Sequence, residues 1–285
     1  MKGFRKIIIN IVAILLVIVS CVGMTACTKD IRELTLTISV YNYDEDAPAN
    51  ETVTLKVDLY GHLATNTVDA IQQYVNEGYY NNTAIYKLVD SANSFGGLMV
   101  GDIKIDGENL KANAVKPEIK GEFEKGGTVG SNLTAKKGSI GLFRSWFDYD
   151  DSFAVSNSAM HSGRATWFIP TADSELSSYN GWFCIFAQFD VEDEDNAYAL
   201  DLILNAFDSE DYAEYVVYYT GEYDANKADE DYGLEKHIVL ASDFEDSDAV
   251  FEAEGEQLVS YNKQTIKVPT NENAFALKIV KAEVK

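Results

Sequence analysis

Proline, cysteine and histidine are scarce in this 285-residue chain, which holds 4, 3 and 3 of them. So few prolines exclude a proline-rich spacer. The histidines, His62, His161 and His237, lie far apart and lack the short spacings of metal ligands, so no metal site is expected. Cys184 is the only cysteine beyond residue 27. It has no partner for a disulfide in a processed chain, and we expect a small buried apolar side chain.

Positive charge is also sparse, because 23 Lys and Arg face 46 Asp and Glu and the net charge is −23. Nucleic acid is excluded as a partner, since phosphate binding needs a basic footprint. The acidic runs lack the spacing of a calcium-binding EF-hand, which favours solvated loops. The excess charge keeps the protein soluble and away from an anionic cell envelope.

The only long apolar run extends from Ile7 to Val22 and follows a basic start, which is typical of an export signal. Met24 to Cys27 resembles a lipobox, so we predict cleavage after residue 26 and acylation of Cys27. Acylation at Cys21 and an uncleaved anchor are the alternatives. Each of them leaves the chain at the cell membrane, on its extracytoplasmic face.

Hydrophobic periodicity predicts two strands followed by a helix in the first third of the chain. Residues 34–40 and 53–60 alternate between apolar and polar, as half-buried strands do. A helix is expected from Thr67 to Asn76, with Asn66 as its cap and Gly78 at its end.

The last third begins with a predicted helix around residues 198–204. A stretch dense in Asp, Glu and Tyr follows at about residues 208–262, with strand-like patches at Tyr215–Tyr219 and Ile238–Leu240. The apolar run from Ala274 to Ala282 then has the character of a final strand. The acidic stretch is therefore interpreted as an insertion before the last strand.

One segment resembles a known catalytic motif. Residues 78–89 read G-Y-Y-N-N-T-A-I-Y-K-L-V, which is similar to the stretch that carries the catalytic arginine in cyclophilin-type peptidyl-prolyl isomerases. Five more segments match that family in the family's order, at residues 59–71, 99–102, 119–142, 165–169 and 180–187.

The resemblance implies a mainly β fold, a cyclophilin-like closed antiparallel barrel with flanking helices and the acidic insertion. The predicted organisation is a lipoprotein signal peptide at residues 1–26, a lipidated tether and first strand at 27–50, and the barrel domain at 51–285.

The resemblance also implies a site in which an arginine donates to the prolyl nitrogen, without nucleophile, metal or cofactor. Lys87 stands at the arginine position and is the predicted catalytic residue. The predicted substrate-binding residues are Ile85 and Phe168 at phenylalanine positions, Leu142 at a methionine, Met99 and Thr166 at the two glutamines, Phe183 at the histidine, and Trp167 beside Phe168. Arg144 and Arg164 are alternative donors, and Arg164 lies two residues before Thr166.

By this resemblance the protein is expected to isomerise prolyl bonds in exported or envelope proteins, with proline-containing or unfolded exported polypeptides as partners. The activity is expected to be weak, because lysine lacks the planar donor fork of arginine. The alternatives are a barrel that binds proline peptides or a partner without turnover, and a structural envelope component that acts through the insertion.

Overall fold

The two longest strands form a hairpin whose side chains alternate between the interior and the surface. In this computed structural model β1 (Ile31–Asn42) and β2 (Ala49–Tyr60) pair antiparallel along their whole length. Alternate residues from Leu34 to Val40 are buried, because successive side chains of a strand point to opposite faces. The first two predicted strands are therefore present.

The structure describes residues 29–43, 48–89, 97–123, 133–144, 162–171, 181, 183–209, 211–222, 235–245, 251–252, 263–271 and 274–285. After the hairpin come α1 (Thr65–Asn76), β3 (Thr83–Leu88), β4 (Gly97–Asp106), β5 (Asn109–Ala112), β6 (Ser139–Leu142), β7 (Trp167–Pro170), β8 (Ile185–Gln188), α2 (Glu194–Asp208), β9 (Tyr212–Glu222), β10 (Glu235–Leu240), a 3₁₀ turn (Ala241–Asp243), β11 (Phe251–Glu252), β12 (Lys263–Asn271), β13 (Ala274–Phe275) and β14 (Leu277–Val284).

The predicted signal peptide, Cys21 and Cys27 lie outside the described residues. Within the described residues, no helix combines the length and apolar character needed to cross a membrane. The predicted domain boundaries stay predictions.

Eight strands close into a barrel in the order β3, β14, β1, β2, β8, β6, β7, β4, and β4 pairs again with β3. All eight of these pairings are antiparallel. Closure satisfies the backbone hydrogen bonds of both sheet edges. The predicted closed antiparallel barrel is confirmed.

The first helix is capped by a distant carboxylate. The prediction that Asn66 caps it is wrong, because α1 begins at Thr65. The N-cap residue is Ala64, which makes no side-chain hydrogen bond to the first turn. Instead, the buried Glu122 accepts hydrogen bonds from the backbone N–H of Asn66 at 3.0 Å and of Thr67 at 2.9 Å. It also accepts from the side chains of both residues. A carboxylate at the positive end of the helix dipole stabilises the helix. Gly78 ends the helix with φ +70°, as predicted.

The acidic stretch before the last strand extends the sheet outward from β3. β14 covers the start of β3, where Ile279 pairs with Thr83. β12 covers its end, where Ile266 pairs with Leu88. β9 then pairs with β12, and β10 pairs with β9. The predicted insertion thus adds strands beside the barrel.

Candidate functional site

Strands β3 and β4 separate two hydrophobic cores. Ile85 and Val100 belong to the core that fills the barrel. Tyr86 and Met99, one residue away on each strand, belong to a second core on the outer face, which β9 and β12 cover with residues such as Val217 and Ile266. The period-two alternation of strands explains this division. The insertion therefore packs on the outer face of the barrel wall.

A cavity of about 180 Å³ lies at the edge of this covered face. It is lined by residues of the barrel strands, of the segment after β5 and of the insertion: Tyr79, Tyr86, Leu88, Met99, Asp102, Ala112, Asn113, Ala114, Val115, Lys116, Phe143, Arg164, Ala165, Thr166, Tyr219, Lys236 and Gln264.

A carboxylate inside the cavity joins the barrel to the insertion. Oδ1 of Asp102 accepts a hydrogen bond from the Tyr86 hydroxyl at 2.8 Å, and Oδ2 accepts one from Nζ of Lys236 at 2.7 Å. Burial raises the pKa of Tyr86 well above its ordinary value, and the negative charge of Asp102 raises it further. The Tyr86 hydroxyl therefore remains a protonated donor at neutral pH.

Two further cations, Lys116 and Arg164, line the cavity. Nζ of Lys116 forms an ion pair with Glu77 and lies 4.8 and 5.0 Å from the ring centroids of Tyr74 and Tyr79. Nη1 of Arg164 donates to the carbonyl oxygen of Lys116 at 3.2 Å. Both cationic heads are thus fixed by neighbouring groups.

Backbone geometry shapes the cavity lining. Asn113 Nδ2 donates to the carbonyl oxygens of Gly101 at 2.8 Å and Tyr79 at 3.1 Å. Gly101 has φ +120°, and a Cβ there would lie 2.6 Å from the carbonyl oxygen of Ala165. Only glycine fits this close approach between β4 and the segment that carries Arg164.

Of the predicted site residues, Met99 and Thr166 line the cavity, and so does the alternative donor Arg164. Met99 pairs with Phe168 between β4 and β7, and Thr166 lies immediately before β7. Arg144 does not line it. Its guanidinium is buried 4.6 Å from the ring centroid of Phe123 and 5.2 Å from that of Phe183.

Lys87 lies outside this lining. Its neighbours Tyr86 and Leu88 face the cavity, so alternation turns Lys87 to the other side of β3. Nζ of Lys87 lies 4.8 Å from the ring centroid of Phe207 in α2. Burial lowers the pKa of Lys87, and the nearby Asp208 opposes that shift. Lys87 therefore lies away from the cavity that Met99 and Thr166 line, and its catalytic role stays a prediction.

The predicted apolar wall is divided between the two cores. Ile85, Leu142 and Trp167 belong to the core inside the barrel. Phe168 and Phe183 lie in the outer core, edge to face with their ring centroids 5.2 Å apart and 76° between planes. Both rings are at most 2% exposed. The predicted aromatic pocket is therefore filled by its own side chains.

Sequence reasoning missed three cavity residues, Tyr219 and Lys236 of the insertion and Gln264 of β12 just after it. Lys236 is 134 residues from Asp102 in the chain, so no local spacing indicates their ion pair. Asp102 and Tyr86 lie within matched motifs, but only the folded register shows that both face the cavity.

Comparison with known proteins gives one family. The family model described as cyclophilin type peptidyl-prolyl cis-trans isomerase/CLD matches residues 48–194. The peptidyl-prolyl cis-trans isomerase B of Escherichia coli strain K12 is 26% identical over 131 residues, which are 44% of this chain. The match spans 65% of that relative's length.

Solved structures of similar proteins include a cyclophilin-type peptidyl-prolyl cis-trans isomerase of Cryptosporidium parvum crystallised in the presence of the dipeptide Ala-Pro. It has a TM-score of 0.34 and 13% identity, over 58% of this chain and 84% of that one. A cyclophilin of Hirschia baltica has a TM-score of 0.29 and 10% identity, over 58% and 70% of the two chains.

Proposed function

Because this chain belongs to the cyclophilin-type peptidyl-prolyl cis-trans isomerase family, we propose that it isomerises prolyl bonds slowly, with the peptide bound in the cavity beside β4. The observation that supports this site is the meeting of Met99, Thr166 and Arg164 in one cavity lining. The first two stand where the family keeps its glutamines, and the third supplies the planar donor that Lys87 lacks.

Arg164 is proposed as the group that stabilises the twisted prolyl bond. Rotation about that bond meets a barrier of about 18–20 kcal/mol because it destroys amide resonance. A catalyst must therefore bind the twisted state better than either planar state. The prolyl nitrogen gains a localised lone pair as the bond twists, and a guanidinium N–H directed at it stabilises that state.

The rate is expected to be low because other hydrogen-bonding groups are missing. Met99 and Phe183 replace residues that hold the peptide backbone in the family, and neither side chain is a strong donor. The loss of one aligned hydrogen bond costs roughly 1.5–3 kcal/mol, which corresponds to about tenfold to a hundredfold in rate. Several such losses leave a slow enzyme.

The second candidate function is a binding module without turnover. It is favoured by the burial of Phe168 and Phe183 in contact with each other. A proline ring can bind at Phe168 only if the Phe183 ring moves away. A peptide held at the cavity rim keeps its own cis/trans barrier.

The site of action proposed from the sequence is the extracytoplasmic face of the cell membrane. The apolar run before residue 22 and the lipobox-like segment ending at Cys27 support a lipid anchor there. The proposed substrates are therefore exported or envelope polypeptides that contain proline.

Exchange NMR on an Ala-Pro peptide distinguishes these functions. The full-length protein in detergent is expected to accelerate cis/trans exchange, and Arg164→Met to slow it at least tenfold, while the exposed Lys111→Met on β5 leaves it unchanged. A loss in Lys87→Met with unchanged Arg164→Met would instead assign the donor to Lys87.

Two other outcomes separate the remaining possibilities. Line broadening of the peptide without faster exchange would identify a binding module. If the peptide shows neither line broadening nor faster exchange, prolyl-peptide recognition is rejected altogether.

A further inference from the structure

The cavity concentrates positive charge in a strongly acidic protein. Three cations, Lys116, Arg164 and Lys236, line it with one carboxylate, Asp102, although the whole chain has twice as many acidic as basic residues. A local excess of positive groups attracts an anionic ligand even though the rest of the molecule repels it.

The two side chains of each of these ion pairs differ in their exposure to solvent. The side chains of Lys116 and Arg164 are 18% and 17% exposed, whereas their partners Glu77 and Glu118 are 42% and 33% exposed. The carboxylates of Glu77 and Glu118 are therefore more open to solvent than the cations with which they pair. The insertion supplies the third cation, since Lys236 is 15% exposed beside Asp102.

These cations are held before any ligand arrives. Lys116 lies against two tyrosine rings, Arg164 donates to the backbone of Lys116, and Lys236 donates to Asp102. Groups already fixed by neighbours lose little rotamer freedom when they bind a ligand. Apolar surface adjoins them, because Val115 is 47% exposed at the cavity edge.

From this arrangement we propose that the cavity selects prolyl peptides in which an acidic residue flanks the proline. This proposal rests on the proposed prolyl-peptide site and names its substrate class. The ligand's carboxylate binds between Arg164 and Lys236, and the proline ring lies on the apolar edge at Val115. Charge-assisted hydrogen bonds of this kind favour a carboxylate over a neutral amide by about tenfold in affinity.

The test compares acetylated, amidated peptides that differ in one group. Ala-Glu-Pro-Ala and Ala-Ala-Pro-Glu are titrated against their Gln counterparts with the full-length protein, and dissociation constants are measured from peptide line widths. The ionic strength is about 0.15 M, where the long-range repulsion by the acidic surface is screened beyond ~8 Å. At least one Glu peptide is expected to bind about tenfold more tightly than its Gln counterpart.

Variants locate the preference. Arg164→Met and Lys236→Met are expected to reduce the Glu-over-Gln ratio to below about threefold, and Lys111→Met, a cation on β5 outside the cavity, is expected to preserve it. Sodium acetate at the same ionic strength is expected not to displace the peptide, because a free carboxylate lacks the prolyl contact.

Each other result has one meaning. Equal binding of Glu and Gln peptides would overturn the acidic preference and leave the prolyl-peptide site standing. A preference that survives both cavity variants would place the carboxylate elsewhere and overturn the proposal. Displacement of the peptide by acetate would also overturn the proposal, because the cavity would then bind any small carboxylate. Failure of all peptides to bind would instead reject the proposed function.

Discussion

Glu122 shows how one side chain can connect distant parts of the chain. It is 6% exposed, follows β5 in sequence and caps a helix that begins 57 residues earlier. Four donors from Asn66 and Thr67 point at its two oxygens. Because no other described side chain is bonded to those two backbone N–H groups, their desolvation is compensated by this carboxylate.

Replacing Glu122 by alanine is therefore expected to lower the free energy of unfolding by about 3 kcal/mol, since buried donors lose a charged acceptor. Urea denaturation followed by tyrosine and tryptophan fluorescence measures the change. Glu108→Ala, an exposed carboxylate in the turn between β4 and β5, is the control and should change stability by less than about 0.5 kcal/mol. Equal effects of the two variants would show that Glu122 caps nothing in solution.

The direction in which single side chains face explains why Lys87 was a poor guide to the cavity. The motif around residues 78–89 correctly indicated β3 and the turn before it. However, a motif matched by letters does not show which face a side chain takes once an insertion covers one side of the strand. Tyr86 faces the cavity and Lys87 faces Phe207, so the residue beside the predicted one lines the site.

Strand β10 of the insertion contributes one residue, Lys236, to the cavity lining. It is six residues long and half-buried, yet it places Lys236 on Asp102 of β4. This ion pair is less exposed than the pair between Lys111 and Asp106, whose side chains are 55% and 65% exposed.

A double-mutant cycle with Asp102→Asn and Lys236→Met is expected to give a coupling of about 1–2 kcal/mol in unfolding free energy. The matched cycle with Asp106→Asn and Lys111→Met should give less than about 0.5 kcal/mol, because exposed pairs are screened by solvent. Chemical denaturation of the four variants of each cycle supplies the numbers. A coupling no larger than that of the exposed pair would mean that β10 is not fixed to the barrel through Asp102.

Elements with strong local signals were predictable. The alternation in β1 and β2, the apolar face of α1 and the glycine after it, and the apolar run of β14 all follow from short-range physics. The cavity was not predictable to the same degree, because its walls come from β3, β4, the segment after β5, the residues just before β7, the insertion and β12. Only Met99, Thr166 and the alternative Arg164 were identified in advance, through their positions in matched motifs.

The barrel as a whole contains tyrosines that must remain protonated. Tyr80 is 1% exposed and its hydroxyl donates to the carbonyl oxygen of Ala165 at 2.8 Å. Burial raises the pKa of Tyr80 well above its ordinary value, and burial does the same to Tyr86. In the unfolded chain both ionise near pH 10.

Stability is therefore expected to be constant with respect to these groups below about pH 10 and to fall above it, because the unfolded state then releases protons that the folded state retains. Each tyrosine contributes a slope of up to about 1.4 kcal/mol per pH unit. Urea denaturation between pH 8 and about 11 measures the slope, and Tyr80→Phe should make it shallower. An unchanged slope in that variant would show that Tyr80 is accessible to hydroxide in the folded protein.

The last strand also determines when the molecule can become a barrel. β14 lies between β1 and β3, and its pairing of Lys278 with Ala84 joins residues 194 positions apart. Until residues 277–284 have left the ribosome, β1 and the start of β3 remain open sheet edges, which are templates for pairing with other chains. The nascent chain therefore exposes these two strand edges until β14 has been synthesised.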